Sequence, residues 1–516
     1  MVSILIFKIS VMKKYSSILK SSRILFIVSI LVFLGCSEEF LDVTPNHYLT
    51  EGNFYQTEED FDQALLGVYG GLQDYVLSAH FLEEGRSDNT TYDNLLDQGS
   101  LGGGRQYGFL DQFKMTSDAG PISDAWNNIY GGIKDCNVTL FYLNNAEINA
   151  DSAKLLEAQL RFFRAFYHFV AVRYWGDVPL LVEPVSSAED AFALRRNPTT
   201  EVYQAIVDDA EFAISNLPLT YTGNDVGRIT RGAARMLLAK VYLTRGEYGN
   251  AQNQLNSIIG SNQYDLLDEY SDIFDPANKN HKESIFEIQF KEGQEGESSN
   301  FIYQFAPVGS RGVVVLGPES SPGRNIPTKD MVEAYEPNDE RKDISVAYFD
   351  RNPSPLYYVN KYNHDTDPDF SRSPDNWPVY RYADAMLMIA EAINEQSYQT
   401  GTPFTMLNRV RVRAGLPELT PTDLPDQASF RNAIAQERRV ELAFENHRWF
   451  DLVRTGKAIE VITAYGIKEK ADPTLVPPDF IAFGPESFAI TQDKLVYPIP
   501  NNELDLNPNM TQNPGY

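Results

Sequence analysis

The chain is poor in the residues that catalysis and covalent stapling most often use. Its 516 residues include two cysteines and six histidines. Two cysteines allow no disulfide framework beyond a single bridge. The histidines are scattered, with no His-Glu-x-x-His, and no Gly-x-Ser-x-Gly occurs, so the zinc-protease and serine-hydrolase signatures are absent. Positive charge is scarce too: 44 Lys and Arg stand against 71 Asp and Glu, a formal net charge of −27. A body this acidic offers no basic footprint to phosphates, so no nucleic-acid partner is expected. It is also repelled by an anionic membrane face. Finally, no apolar run reaches the roughly 20 residues of an ordinary transmembrane helix.

Residues 1–35 reverse the charge balance. They hold Lys8, Lys13, Lys14, Lys20 and Arg23 and no acidic residue. An apolar run from Ile24 to Leu34, broken only by Ser29, follows and stops at Phe33-Leu34-Gly35-Cys36. A basic region, a short apolar core and a small residue before a cut make a secretory signal. Gly35 supplies that small residue and Cys36 the thiol, so 1–35 reads as a lipoprotein signal peptide with lipid attached at Cys36. Met12, directly before Lys13-Lys14, is an alternative translation start. Cleavage takes the formal charge from −27 to −32. Two or more acyl chains, at about 0.8 kcal/mol per buried CH2, then anchor the chain to a membrane. Residues 36–55 read as a tether with one apolar plug, Phe40-Leu41. Cys136, the other thiol, reads as a small buried apolar group.

Helical periodicity dominates from Thr57 onward, and 56–516 reads as a single body. Thr57 with Asp60 has capping-box character, and Phe61, Leu65, Val68, Tyr69 and Leu72 share a face. Trp126, Ile129, Tyr130, Ile133, Asn137 and Leu140 repeat at helical spacing. Another helix spans about 152–174. Between Arg235 and Ile259 the offsets Leu238-Ala239, Tyr242, Gly246, Tyr248, Ala251, Leu255 and Ile258 match a tetratricopeptide (TPR) unit. One such unit cannot bury its own face, so helices at 153–174, 200–216, 379–396, 402–414 and 427–446 are expected to stack on it. Three stretches, 83–120, 291–328 and 350–378, are rich in Gly, Pro, Asn, Asp and Ser and lack periodicity. The expected fold is mainly α: a TPR-like helical bundle whose long irregular insertions form the ligand-binding side.

Several segments, in this order, carry a family resemblance. They include Trp126-x3-Tyr130-x2-Ile133-x3-Asn137 and Leu160-Arg161-Phe162-Phe163-Arg164-Ala165-Phe166 leading to Tyr174-Trp175-Gly176-Asp177-Val178-Pro179. Tyr380-Arg381-Tyr382-Ala383-Asp384 follows. The most specific is Glu437-Arg438-Arg439-Val440-Glu441-Leu442-Ala443-Phe444-Glu445-x2-Arg448-Trp449-x-Asp451. The chain resembles the SusD/RagB family of outer-membrane nutrient-binding lipoproteins. The resemblance implies an outer-surface lipoprotein that captures oligosaccharides beside a SusC-like TonB-dependent transporter and acts as its lid. It implies no enzyme and no cofactor. Peptide cargo, as in the RagB branch, and a TPR scaffold without a small ligand are the alternatives.

Sugar capture needs aromatic faces and planar polar groups. Arg86, Asp88, Asn89, Tyr92 and Tyr107 in the first insertion, Phe301 and Tyr303 in the second and Trp377 in the third are the expected glycan contacts. No catalytic or metal residue is expected. Glu437, Glu441 and Glu445 fall on one helical face beside Arg438, Arg439, Arg448 and Arg454, a pattern suited to ion pairs. Asp365, Asp367 and Asp369 lack the glycine and distal glutamate of an EF-hand and read as a solvated loop. One outcome tests the N-terminal reading: exported Cys36→Ala protein should leave the detergent phase in a Triton X-114 partition and incorporate no labelled palmitate. Continued membrane retention would refute lipid anchoring at Cys36.

Overall fold

The computed structural model describes residues 54–92, 104–292, 297–317, 321–351, 355–364, 372–475 and 483–516. The signal peptide, Cys36, most of the tether and Asp365, Asp367 and Asp369 lie outside these residues. Residues Thr57–Tyr516 form one compact unit. Its frame is α1 (Glu58–Leu82), α2 (Gly120–Leu143), α3 (Ala150–Trp175), α4 (Thr199–Asn216), α5 (Arg231–Thr244), α6 (Tyr248–Ile259), α7 (Tyr382–Gln396), α8 (Thr402–Arg413), α9 (Gln427–Glu441) and α10 (Ala458–Ala471). Local chemistry sets their ends. The Thr57 hydroxyl accepts from the Asp60 amide at 3.3 Å, and the Asp60 carboxylate accepts from the Thr57 amide at 2.7 Å, closing the expected capping box on α1. The Asn149 side chain caps α3 at Asp151 and Ser152, and Gly176, at φ 73°, ends it.

The helices pack in succession: α1 on α2, α2 on α3, α3 on α4, α4 on α5, α5 on α6, α6 on α7, and α7 on both α8 and α9. Apolar stripes drive this, and a few specific contacts set the register. A Cβ at Gly132 of α2 would sit 2.3 Å from the Tyr167 ring of α3, so the close approach of these helices requires glycine. Arg164 of α3 makes a bidentate pair with Asp209 of α4 at 2.7 and 2.8 Å and donates to Asn137 of α2 at 2.9 Å. That single guanidinium ties three helices and accounts for two of the polar residues in the sequence motifs.

Among the described residues six short strands, all paired antiparallel, knit the insertions together. β1 (Thr90–Thr91) pairs with β3 (Ile326–Pro327), joining the first insertion to the second. β2 (Ser284–Ile288) pairs with β6 (Trp377–Arg381), and β4 (Val346–Phe349) with β5 (Leu356–Val359). A bridge between Ser299 and Ser373 joins the second insertion to the third. The fold is mainly helical, as expected, with two corrections. The segment expected to be helical from 379 begins as strand β6, because Trp377–Arg381 completes the ladder with β2. The helix expected over 427–446 stops at Glu441, since Phe444 and Asn446 adopt φ of 64° and 65°. A separate helix, Arg448–Arg454, then carries the rest of the motif.

Below this turn lies a buried network of ions. Arg341 pairs with Asp339 at 2.8 Å, Glu437 at 2.6 Å and Glu441 at 3.1 Å. Arg381 pairs with Glu283 and Glu445 at 2.7 Å and with Glu441 at 2.8 Å. Arg413 reaches Glu441 at 2.6 Å and Glu283 at 3.0 Å, and Lys361 reaches Glu445 at 2.7 Å. Burial opposes ionisation of Glu441, but Arg413, Arg381 and Arg341 outweigh it and hold the carboxyl well below the usual range. Arg381→Ala would take one cation from each of three buried carboxylates, Glu283, Glu441 and Glu445, a change that costs about 3–5 kcal/mol. The urea unfolding midpoint should fall accordingly; an unchanged midpoint would remove the network from the account of stability.

Candidate functional site

The residues expected to meet a ligand do come from segments that the fold brings together. Their placement, however, corrects their role. Arg86, Asp88, Asn89, Tyr92, Phe301, Tyr303 and Trp377 each have 4% or less of their surface exposed. A ring or amide without an accessible face cannot stack on or bond to a ligand from solvent, so these seven work in the interior.

Each interior role has a visible cause. Arg86 lies 4.3 Å from the centre of the Tyr497 ring, 4.6 Å from Phe113 and 5.1 Å from Trp449, and it donates to the Lys494 carbonyl. This is a cation held among aromatic faces. Asp88 accepts from Arg448 at 2.8 and 3.0 Å and lies 3.0 Å from Arg439. Burial alone would raise its pKa, but the two guanidinium groups prevail and hold it well below the usual range. Asn89 accepts from Arg439 at 2.9 Å and donates to Glu84 at 2.7 Å. Tyr92 covers Gly85, where a Cβ would meet the ring at 2.3 Å, and donates to the His80 carbonyl. Phe301 meets Trp377 at 4.9 Å, and Trp377 stacks on Tyr362 at 4.9 Å and 14°. Tyr303 joins Ile302, Ala306, Val315 and Tyr358 in a small core of its own.

Tyr107 is the exception, because it is half-buried. Its ring stacks on Phe81 at 3.8 Å and 21°. The Arg324 guanidinium lies 4.9 Å from Tyr107 and 5.0 Å from Phe81, and donates to the Gln304 side chain at 2.7 Å. Arg324 and Gln304 are also half-buried. Two nearby side chains, His80 against the Phe81 ring and Asn325 next to Arg324 in the chain, have unmet bonding capacity. Both ring nitrogens of buried His80, and both side-chain polar atoms of buried Asn325, have no hydrogen-bond partner among the described residues. Burial first, and Arg324 second, keep the His80 pKa well below the ordinary value, so the ring is neutral. An interior polar group without a protein partner keeps hydrogen-bonding capacity that an ordered water or a ligand group can use. A half-exposed ring, a guanidinium and a planar amide in one cluster can hold a polyhydroxylated ligand by stacking and hydrogen bonding.

The sequence pointed to Tyr107 but not to Phe81, Arg324, Gln304 or Asn325. Phe81 reads as the end of a core stripe, and Arg324 lies in an aperiodic stretch. Asn325 adopts a left-handed backbone, φ 53°, a region asparagine tolerates, but residue type alone does not announce it. The Glu437, Glu441 and Glu445 carboxylates are all in ion pairs, as expected, but with Arg341, Arg381, Arg411, Arg413 and Lys361; Arg438, Arg439, Arg448 and Arg454 beside them pair with other carboxylates. Among the described residues no group of three His, Cys, Asp or Glu is arranged to hold a metal ion.

Below this rim, at the end of α1, two adjacent carboxyl groups are buried. Glu83 accepts from the Tyr75 and Tyr174 hydroxyls at 2.6 and 2.7 Å, and Glu84 from the Phe444 and Asn446 amides at 3.2 and 3.1 Å. Burial pushes each pKa up to about 7.

Comparison with known proteins agrees with this architecture. The family profile described as "SusD family" matches residues 347–516, and one described as "Starch-binding associating with outer membrane" matches 39–243. SusD-like protein P25 of Formosa agariphila is 27% identical, with 93% of this chain and 96% of that one covered. SusD-like protein P2 of the same organism is 28% identical over 96% of this chain and all of the relative. A solved "Laminarin binding SusD-like protein" superposes with a TM-score of 0.73 at 26% identity, covering 90% of this chain and all of that one.

The raised carboxyl pKa values have a measurable consequence. A pKa of about 7 in the fold, above the unfolded value, means that stability is full below the unfolded pKa and is lost as pH rises through about 7. For Glu84 the loss is at most about 3 kcal/mol. Thermal unfolding followed from pH 4.5 to 8 should show this decline, and Glu84→Gln should flatten part of it. A Gln variant with the same slope would assign the pH dependence elsewhere.

Proposed function

The chain belongs to the SusD/RagB family, and from that premise we propose that it is a surface lipoprotein that captures oligosaccharides. It passes them to a SusC-like TonB-dependent transporter and acts as the lid of that transporter. The anchor in this reading is lipid on Cys36, with the body facing the medium and residues 36–55 setting its reach. The observation that carries the reading is the rim of Tyr107, Arg324 and Gln304 above the Phe81 ring.

The chemistry of the rim suits the cargo. Pyranose rings present apolar C–H faces and equatorial hydroxyls, so they pair with an aromatic ring flanked by planar donors and acceptors. Arg324 is always charged and donates in a fixed plane, and its bond to Gln304 fixes the orientation of both. The likeness to a laminarin-binding relative favours a glucan as the first ligand to try. The chain binds and releases in this reading; no residue is given a catalytic role.

The mature protein, titrated calorimetrically with laminarin, starch-type and other soluble glycans, should bind at least one of them. Tyr107→Ala and Arg324→Ala should each weaken that binding about tenfold, close to 1.4 kcal/mol. Full affinity in both variants would sink the rim as the ligand site. Binding of peptides in place of every glycan would move the cargo to the peptide class.

A further inference from the structure

A second recess lies outside this rim, and none of its lining residues belongs to the three insertions. It is a groove of about 620 Å³ lined by the segment Asp265–Asp268, helix α8 and Glu418. Its lining residues run from Thr400 and Gly401 to Arg413, the whole length of α8. A helix of 12 residues is about 18 Å long, which matches an extended peptide of about five residues.

The lining selects for one kind of occupant. Leu266, Leu267 and Phe404 form an apolar floor, and Val412 stands at the lip with 53% of its surface exposed. The charges do not balance. Arg413 is consumed by Glu283 and Glu441 inside the body. Arg409 is matched by Asp265 across the groove at 2.5 Å, with both side chains substantially exposed. Asp268 and Glu418 remain, both exposed and neither in an ion pair among the described residues. Two uncompensated carboxylates beside an apolar floor complement a chain that carries a cationic side chain next to an apolar one.

We infer that this groove docks an extended segment of a partner protein bearing lysine or arginine beside a leucine-like residue. The site is independent of the glycan rim. It makes the chain a two-ligand protein, with a sugar held by the insertions and a polypeptide held along α8. The exposed Asp265–Arg409 pair spans the groove and is of the weak class of surface pairs, so an incoming cation can exchange for Arg409 at Asp265.

The test uses the mature chain and two fluorescein-labelled, C-terminally amidated peptides, Gly-Lys-Leu-Lys-Gly and Gly-Glu-Leu-Glu-Gly, read by fluorescence polarisation at low salt. The lysine peptide should bind at least tenfold tighter than the glutamate peptide, and rising salt should weaken it. The double variant Asp268→Lys, Glu418→Lys should reverse that preference. Both positions are exposed, so circular dichroism should show the fold unchanged. Equal binding of the two peptides, or a preference that the double variant leaves intact, would overturn the inference. Glycan titration of the same variant separates the two sites: unchanged affinity supports their independence, and lost glycan affinity would make the groove a sugar site instead. Failure of the protein to bind any glycan, with the peptide preference intact, would count against the glycan reading alone.

Discussion

The structure depends on keeping several charges out of water without leaving any of them alone. Glu441 is the centre of that constraint. It sits at the last residue of α9, within 3.1 Å of Arg341, Arg381 and Arg413, which come from three separate elements. Ions in an interior cost several kcal/mol each unless their partners are close and bonded. The cost restricts the chain to arrangements that deliver all three guanidinium groups at once. Hydrophobic stripes pack helix on helix in many registers. This network selects one, because a slip by a single turn would strand a charge.

The same helix governs the placement of the first insertion. Successive positions of α9 point to different partners: Glu437 and Glu441 to the network, Arg438 to Asp384 and Asp451, and Arg439 to Asp88 and Asp330. Asp88 belongs to the first insertion. Glu84, at the root of that insertion, holds the left-handed turn after α9 by accepting the Phe444 and Asn446 amides. The turn and the insertion therefore support each other. The residues of the Glu437–Asp451 motif serve this junction, and their density in the sequence reflects how many elements meet there.

Much of the fold could be read directly because its causes are local. Thr57 and Asp60 cap a helix whatever surrounds them, and the spacing from Leu238 to Ile258 marks two helices that must interlock. The break at Glu441 was less legible, since it depends on the distant Glu84. The burial of the insertion aromatics was least legible of all. Tyr92, Phe301, Tyr303 and Trp377 lie in glycine-rich and polar segments, where an aromatic reads as exposed. These insertions are long enough to build cores of their own, and Phe301, Tyr362 and Trp377 form one. Residue type carries the chemistry of a ring, whereas its exposure is a property of the assembled chain. Tyr107 differs from Tyr92 in burial and not in kind.

That assembly also bears on how the rim works. Arg324 is two residues before β3, and β3 pairs with β1. Directly after β3, the Thr328 amide and hydroxyl donate to the carbonyls of Asn89 and Asp88 at 2.9 and 2.8 Å. Asp88 is in turn fixed by Arg439 and Arg448. A continuous line of short contacts thus leads from the Tyr107–Arg324 rim to α9 and its ion network. Binding costs least when the groups that meet the ligand are already ordered. An open, half-exposed rim is backed here by seven of the eight residues that the sequence put forward as contacts, which are buried in the body.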